Sequence, residues 1–568
     1  MNSSRSLRFV PLVLFALAFA IRLVGIGWGL PTSERFYSYH PDERQMLGAI
    51  VNVLRDGLNP HFFNYPSFFI YLAALTHFVA GGFFPPAGDS AWAISHDILL
   101  HTRLVSAFLG ALTVPVVFVL GREIGGWKIG VLAALLLCFA PAHVQHSHFA
   151  TVDVAATFWI ALSLWLATRA VNSQRSEPQN GRPIARFLLL SALCAGLGAA
   201  TKYNAVFVLA APLGALFAIE YSMRARLASG IVATAIAGFL VGCPFSVLSF
   251  REFWGDGKNV GVAYELLVHP NQGSGDIFTD TGNGWLYHAT FNLPFALTAP
   301  VAVAALGGIW LVSSGVIKAR KNGIGNFRVL IPILAFVLCY FFALGFSQVR
   351  FLRYTLPLLP ALTVFAALFV RAGVAALRSD NMVWKVAVAV SFLLISVIGT
   401  SNVLWPLTQP DPRDQAKIWM DSQNDATPIS VGLADKENPL WFYTPPFWPQ
   451  DAPPGSPFGW DKVQKTPRYD LLALGIDASA LARTLGRTRP RYFVWSEFQW
   501  RERARLRDEK EAQLRRTLNL EYAMREFQNV PPLSLPGRAF VPHDFLYTNP
   551  RVEIWTRKRQ IASLSSTR

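Results

Sequence analysis

The sequence predicts an α-helical polytopic membrane protein that continues into a small α/β domain. Of its 568 residues 52% are hydrophobic and only 15% are charged, whereas roughly a quarter of the residues in soluble domains are charged. Twelve apolar runs, long enough or nearly long enough to cross a bilayer, occupy the first 406 residues. After residue 406 the composition becomes polar and charged. The change in composition separates a membrane module from an exported domain.

The apolar runs define the helices that we expect in the membrane module. The first run follows Arg5 and Arg8, but it is too long for a signal peptide and has no small-residue cleavage site, so we expect a retained helix. The twelve runs cover approximately residues 9–30, 66–84, 104–120, 129–142, 154–168, 187–200, 205–219, 227–250, 289–317, 329–347, 354–370 and 386–406.

The basic loops indicate the orientation of the chain, because Lys and Arg in short loops favour the cytoplasm. If the N-terminus is cytoplasmic and all twelve runs cross the membrane, some of these basic loops would lie on the extracytoplasmic side, against this rule. The run 66–84 follows Tyr65 and Pro66, ends in two glycines and has no basic loop after it, so we expect a re-entrant or interfacial helix there. About eleven crossings then remain, in an inner (plasma) membrane. The basic loops are 122–128, 169–186, 224–226, 318–328 and 371–385.

These assignments divide the chain into two domains. Residues 1–406 are expected to form the transmembrane module, with outer loops at 31–103 and 251–288, and residues 407–568 an extracytoplasmic α/β domain. In the second domain, short apolar runs alternate with helical stretches near 412–422 and 499–518. The short runs are 429–433, 471–474, 492–495 and 552–555.

An acidic pair, Asp42-Glu43, follows the first apolar run in the sequence Tyr-His-Pro-Asp-Glu-Arg. Carboxylates beside hydrocarbon are costly and therefore indicate function. The predicted topology puts acids, histidines and several cations on the same outer face, as an outward-facing active site requires. The alternatives stay open: Asp153 is equally natural as a helix N-terminal charge, and Arg350 and Arg353 as lipid-interface residues.

Nucleotide, nucleic-acid and metal chemistry find little support in the sequence. There is no P-loop and no Rossmann glycine pattern. The basic clusters alternate with apolar runs, which is typical of membrane topology rather than of nucleic-acid binding. His40, His146 and His148 leave a divalent metal open, but no spacing such as HExxH supports one. We therefore expect no cofactor and assign no metal ligand.

An ordered set of motifs resembles the GT-C glycosyltransferases. Within that class the chain is similar to the protein O-mannosyltransferase group and its bacterial relatives, among them the 4-amino-arabinose transferases of lipid A. The resemblance covers roughly residues 1–406. It depends on the Asp42-Glu43 pair, a helix that opens with Arg103 and closes at Gly121-Arg122, Ser147-His148-Phe149-Ala150-Thr151-Val152-Asp153, Thr201-Lys202-Tyr203-Asn204 and Arg350-Phe351-Leu352-Arg353-Tyr354.

The resemblance implies an inverting transfer of a sugar from a polyprenyl-phosphate donor to a hydroxyl of a protein, lipid or glycan on the outer face. Asp42 matches the acidic position of the family and would be the general base. Glu43 would orient the acceptor or share the proton, and Asp153 matches a second acidic position. The expected phosphate-binding residues are Arg350, Arg353 and Lys202, with His40, His148, Tyr203 and Tyr65 in supporting positions.

Two rival functions come from other classes. A solute transporter would show broken or polar segments near the membrane midplane and inverted repeats, neither of which is evident in the sequence. A membrane-anchored binding or sensor protein would use only its exported domain. The outer loop 251–288 is long enough for a lid, which would exclude water from a glycosyl donor.

Overall fold

The computed structural model describes most of the chain. Residues 177–180, 315–326 and 377–381, each of which overlaps a predicted basic loop, and residues 448–454 of the Pro-rich stretch lie outside the described residues. The described residues are 9–83, 88, 90–176, 181–220, 224–272, 275–314, 327–376, 382–423, 425, 428–434, 441–447, 468–475, 477–534 and 540–558.

The membrane module is a bundle of helices, as predicted. Among the described residues, seven helices are long and apolar enough to cross a membrane and five shorter ones are apolar, and each of the twelve overlaps a predicted run. The helices are α1 Val10–Leu23, α2 Pro41–Asp56, α3 Phe68–Gly81, α4 Ala91–Gly125, α5 Trp127–Cys138, α6 Pro141–His146, α7 Val152–Ser176, α8 Gly181–Ala199, α9 Ala210–Ala218, α10 Arg224–Gly242, α11 Ala299–Ser313, α12 Ile331–Phe346, α13 Leu359–Ala376 and α14 Met382–Leu404.

Exposed apolar side chains cover the outside of this bundle, as a lipid-facing surface requires. The clearest case is α14, whose Val383, Trp384, Val386 and Leu394 are all exposed. Together with the apolar helices and the C-terminal sheet, this surface confirms the predicted fold class, a helical integral membrane module with a small α/β domain.

Helix α3 has both ends beside elements of the predicted outer side. Its first residue donates its backbone N–H to the carbonyl of Ala200, and His77 near its end lies 3.0 Å from His101, between the two Nδ1 atoms. His101 lies within one turn of Arg103, which belongs to the site described below. This arrangement favours the interfacial placement that the parity of the basic loops predicts.

The segment predicted as an outer loop at 251–288 is folded into short helical pieces. They continue without a long extended stretch from the end of α10 to the start of α11. The pieces are Phe245–Leu248, Phe250–Trp254, Gly261–Ala263, Tyr264–Val268, His269–Gln272, Gly275–Phe278, Gly284–Tyr287, His288–Asn292 and Leu293–Leu297. Short 3₁₀ turns also precede three of the bundle helices, at Tyr203–Leu209, Phe327–Leu330 and Leu352–Leu358.

The second domain contains a five-stranded sheet of order β2-β1-β3-β5-β4. The first three strands are parallel, and β5 pairs antiparallel with both β3 and β4. Strands overlap all four short apolar runs, but the pattern did not reveal β4 or the helix at 478–488. The elements are α15 Pro412–Asp421, β1 Ile429–Leu433, β2 Tyr469–Ala473, α16 Ala478–Thr488, β3 Tyr492–Ser496, α17 Glu497–Arg505, α18 Glu509–Glu521, β4 Tyr522–Phe527 and β5 Val552–Arg557.

Contacts of several kinds dock this domain on the membrane module. Arg35 of the segment before α2 makes two hydrogen bonds of 3.1 Å to Asp414 on α15, and Tyr39 bonds the same carboxylate. The 3₁₀ turn His543–Leu546 between β4 and β5 reaches the bundle itself. This turn brings a residue of the C-terminal domain to the group of charged residues described below.

Candidate active site

Asp42 lies in the first turn of α2, directly after Pro41. Proline is favoured at this position because the first turn needs no backbone N–H donor there, and a carboxylate is favoured by the positive end of the helix dipole. Its Oδ2 is buried and lies 3.5 Å from Nη2 of Arg353. No hydrogen-bond donor of the described residues reaches this oxygen. The Asp42 carboxylate therefore keeps an acceptor oxygen available.

Glu43, the neighbouring acid, is fully engaged elsewhere. Both its oxygens lie 2.8 Å from the Arg103 guanidinium, and it also accepts hydrogen bonds from the Ala150 backbone N–H and the Ser38 hydroxyl. Burial alone would raise the pKa of Glu43, but the charge and hydrogen bonds of Arg103 outweigh it and lower the pKa. This geometry fits a structural clamp, not the acceptor-orienting role expected from the sequence.

Arg353 connects Asp42 to a carboxylate that the sequence did not suggest. Its Nη1 donates to Oδ1 of Asp544 at 2.9 Å, and its guanidinium lies 4.0 Å from the Phe351 ring centroid. Burial would raise the pKa of Asp544, but the charges of Arg353 and His146 outweigh it and lower the pKa. Arg353 is thus a buried cation between two acids, one from each domain.

Asp153 and Lys202 form an ion pair beside this group. Asp153 lies in the first turn of α7, and its Oδ1 is 2.5 Å from Nζ of Lys202. The ammonium also lies 4.8 Å from the ring centroid of Tyr354, the residue after Arg353. Both side chains are mostly buried. The predicted second acid and the predicted third cation therefore act as one unit.

Two buried histidines lie against the acids. Both ring nitrogens of His40 and of His146 lack a hydrogen-bond partner among the described residues. The His40 ring lies between those of Phe149 and Tyr547, with centroids 4.2 and 5.0 Å away. His146 Nε2 is 3.7 Å from Asp544, yet burial lowers its pKa to about 4. Buried polar atoms that lack a protein partner can be satisfied by water or by a polar ligand.

The other supporting residues divide into one site residue and two structural ones. Burial and then the charge of Asp42 raise the pKa of Tyr65 well above its ordinary value, while the charge of Arg353 opposes the shift, so the charges of both groups act on this phenol. The Tyr203 hydroxyl instead donates to the Phe63 carbonyl at 2.8 Å. His148 has each ring nitrogen within 2.9 Å of a backbone carbonyl.

Arg350 does not share a face with Arg353. It precedes the 3₁₀ turn Leu352–Leu358, and its Nη1 donates to the Thr281 hydroxyl and the Gly282 carbonyl at 2.7 and 2.8 Å. The segment 251–288 therefore packs on the irregular stretch 349–351, which carries Arg350 and leads into the 3₁₀ turn that carries Arg353. The ring of Phe278 in this segment also lies 4.9 Å from that of Phe351.

Sequence reasoning missed the two residues that complete the group, Arg103 as the partner of Glu43 and Asp544 as the partner of Arg353. In the sequence Arg103 was noted only as the first residue of a helix motif, and nothing there indicated that it pairs with Glu43. Asp544 had no signal, because an aspartate in a polar domain is ordinary. Within the described residues, no three His, Cys, Asp or Glu side chains are grouped to hold a metal ion. Metal independence stays a prediction.

The arrangement has the chemical parts of a transfer site. Asp42 offers a carboxylate oxygen, Arg353 and Lys202 offer positive charge, and histidine and tyrosine side chains surround them. Such a pocket favours a ligand with both an anionic group and hydroxyls.

Comparisons with known proteins agree with this picture. Residues 75–253 match the family model of the dolichyl-phosphate-mannose-protein mannosyltransferases. No curated protein matches the sequence. The matched stretch includes Arg103, Asp153 and Lys202, whereas Asp42, Arg353 and Asp544 lie outside it.

Several solved structures align with the chain at low identity. ArnT from Cupriavidus metallidurans in the apo state is 16% identical, with 96% of this chain and 97% of that chain covered and a TM-score of 0.48. The oligosaccharyltransferase AglB from Archaeoglobus fulgidus, in complex with an inhibitory peptide and a dolichol-phosphate, is 13% identical over 95% and 77% of the two chains, with a TM-score of 0.45. The S. cerevisiae protein O-mannosyltransferase Pmt1-Pmt2 complex bound to the sugar donor is 19% identical over 42% and 34%, with a TM-score of 0.32.

These structural alignments are too loose for any residue-level inference, and the family match carries the comparison. Over residues 75–253 the chain is similar to the dolichyl-phosphate-mannose-protein mannosyltransferases, which confirms the resemblance inferred from its sequence.

Proposed function

We propose that this protein is an inverting glycosyltransferase that moves a sugar from a polyprenyl-phosphate donor to a hydroxyl acceptor. The observation that carries the proposal is the buried, donor-free Oδ2 of Asp42 beside the Arg353 guanidinium, 3.5 Å away. Asp42 supplies a base and Arg353 a cation, the two kinds of group that a displacement at a phosphorylated anomeric carbon uses. The similarity of residues 75–253 to a family of lipid-phosphate sugar transferases supports the same chemistry.

In the proposed reaction Asp42 accepts the proton of the acceptor hydroxyl as the hydroxyl oxygen attacks the anomeric carbon. The bond between that carbon and the phosphate oxygen breaks, and the electron pair leaves with the polyprenyl phosphate. A positioned base contributes roughly 10²–10⁴-fold to such a step. Because attack and departure occur on opposite sides of the carbon, the anomeric configuration inverts.

Arg353 and Lys202 are proposed to stabilise the phosphate as its charge develops. A guanidinium can contact phosphate through two parallel N–H donors, and fixed donors in a buried site need no reorganisation. Asp153 would hold Lys202 in place through their 2.5 Å contact. The unpartnered ring nitrogens of His40 and His146 are proposed to bind sugar or acceptor hydroxyls.

We also propose that the site faces the extracytoplasmic side and that the acceptor is a protein, lipid or glycan there. The basic loops of the sequence support this orientation. The segment 251–288 is proposed to cover the donor, and the hydrogen bonds of Arg350 to Thr281 and Gly282 support this role.

The test is donor consumption by the full-length protein in proteoliposomes. A panel of polyprenyl-phosphate sugars, including the mannose and 4-amino-arabinose forms, is incubated with the protein and with outer-face acceptors. Release of polyprenyl phosphate together with a glycosylated acceptor would support the proposal. Passage of solute across the bilayer with every donor left intact would support the transporter instead, and the proposal would be wrong.

A further inference from the structure

Asp544 of the C-terminal domain makes three hydrogen bonds to the membrane module. It is fully buried, and its Oδ2 accepts the Leu352 backbone N–H at 2.8 Å while Oδ1 accepts from Arg353 at 2.9 Å. Its own backbone carbonyl accepts from Nε2 of Gln145 at 3.2 Å. Two of these hydrogen bonds fix the carboxylate, and the third fixes the backbone of the same residue.

Arg353 meets its two acids at different distances. Charge-assisted N–H···O contacts are about 2.7–2.9 Å long. The contact with Asp544 reaches that length, whereas the contact with Asp42 is 3.5 Å. A guanidinium released from Asp544 would move toward Asp42, because opposite charges in a buried site attract strongly. It would then occupy the oxygen that a general base needs.

We propose that Asp544 is a positioning residue of the transfer site, which holds Arg353 away from Asp42 so that the Asp42 carboxylate stays available for the acceptor proton. This inference rests on the proposed function, because it assigns Asp42 the role of base. It makes the exported domain a part of the site, since Asp544 comes from the turn between β4 and β5.

Docking of the two domains does not by itself explain Asp544. The Arg35–Asp414 pair already joins the domains, with two hydrogen bonds of 3.1 Å. Tyr39 strengthens it through a further hydrogen bond to Asp414. Asp414 is therefore a matched control, an acid of the exported domain that pairs with an arginine of the membrane module but does not contact Arg353.

The experiment compares Asp544→Asn, Asp544→Glu and Asp414→Asn in the full-length protein. Asparagine keeps the size of the side chain and an acceptor for the Leu352 N–H, but it removes the charge that holds Arg353. We expect kcat with the best donor of the panel to fall about tenfold to hundredfold in Asp544→Asn, because Arg353 then occupies the Asp42 carboxylate and moves away from the phosphate. Asp544→Glu should recover most of kcat, and Asp414→Asn should keep it.

A structure of Asp544→Asn provides a readout that needs no substrate. The Arg353–Asp42 contact should shorten from 3.5 Å to about 2.8 Å. An unchanged distance, or a loss of kcat in Asp414→Asn as large as that in Asp544→Asn, would overturn the inference. If the wild-type protein consumes no donor, the proposed function fails, and the distance alone then tests whether Asp544 positions Arg353.

Discussion

Nζ of Lys202 lies 2.5 Å from Oδ1 of Asp153, so two residues that the sequence assigned to separate roles form one ion pair. Neither charge is isolated at the site. Asp153 neutralises Lys202, which is proposed to bind phosphate. Lys202 also lies 4.8 Å from the ring centroid of Tyr354, the residue after Arg353.

The first prediction concerns this pair. Removing one partner leaves an unpaired buried charge, which typically costs roughly 3–5 kcal/mol, whereas removing both avoids that penalty. Thermal or denaturant unfolding of Asp153→Asn, Lys202→Met and the double variant should therefore be strongly non-additive, with the double variant more stable than the sum of the two single changes predicts. Additive effects would show that the two side chains do not interact.

The second prediction separates the two arginines of the Arg350-Phe351-Leu352-Arg353 stretch. Arg353→Gln should lower kcat by about 10²–10³-fold, as the loss of one fixed donor to a developing anion does in other enzymes. Arg350→Gln is the matched control, because its guanidinium bonds Thr281 and Gly282. Donor turnover by the two purified variants provides the measurement, and equal losses would contradict the assignment of Arg353 to the phosphate.

The third prediction concerns stability at the Glu43 clamp. Glu43→Gln removes one charge of a fully buried pair, and we expect a loss of roughly 3–5 kcal/mol in the free energy of unfolding. The exposed Arg328–Glu220 pair is the control, since Glu220→Gln should cost less than about 1 kcal/mol. Unfolding in detergent measures both variants. If Glu43→Gln changes the free energy of unfolding little but abolishes activity, Glu43 has a role in the chemistry and not a structural one.

The fourth prediction is a dependence of stability on pH. Burial keeps the folded His146 neutral down to a pKa of about 4, whereas a histidine of the unfolded chain binds a proton near pH 6.5, that is, at about its ordinary pKa. Between these values the unfolded state binds more protons, so the free energy of unfolding should fall as the pH falls from about 6.5 to about 4. Burial lowers the pKa of His40 as well, so it acts in the same direction.

The unfolding midpoint of His146→Gln, measured across this pH range, tests that prediction. The variant should lose stability less steeply than the wild-type protein on acidification. Asp544 does not produce this effect, because its pKa is lowered from an ordinary value of 3.8 and its contribution to stability is lost only at still lower pH. Parallel curves for the two proteins would contradict a neutral buried His146.

The sequence predicted what depends on local composition. The apolar runs predicted the helices of the membrane module. Pro41, Asp42 and Glu43 are residues typical of a first helical turn, and they form the first turn of α2. The parity of the basic loops grouped Asp42 with Arg353, which the structure places 3.5 Å apart.

Partners that are distant in the chain could not be predicted in this way. Asp544 is 191 residues from Arg353, and Glu43 is 60 residues from Arg103. Only the tertiary fold decides which arginine meets which acid. For that reason the sequence suggested roles in the chemistry for both Asp42 and Glu43. In the structure both oxygens of Glu43 accept hydrogen bonds, whereas no donor among the described residues reaches Oδ2 of Asp42.

The most direct test of the account is the turnover of a polyprenyl-phosphate sugar by Asp42→Asn, compared with Asp56→Asn at the far end of the same helix. We expect Asp42→Asn to lose roughly 10²–10⁴-fold in kcat while it folds and binds polyprenyl phosphate normally, because only the base is removed. Asp56→Asn should keep wild-type activity. Full turnover by Asp42→Asn would show that this carboxylate is not the base and would contradict the central claim.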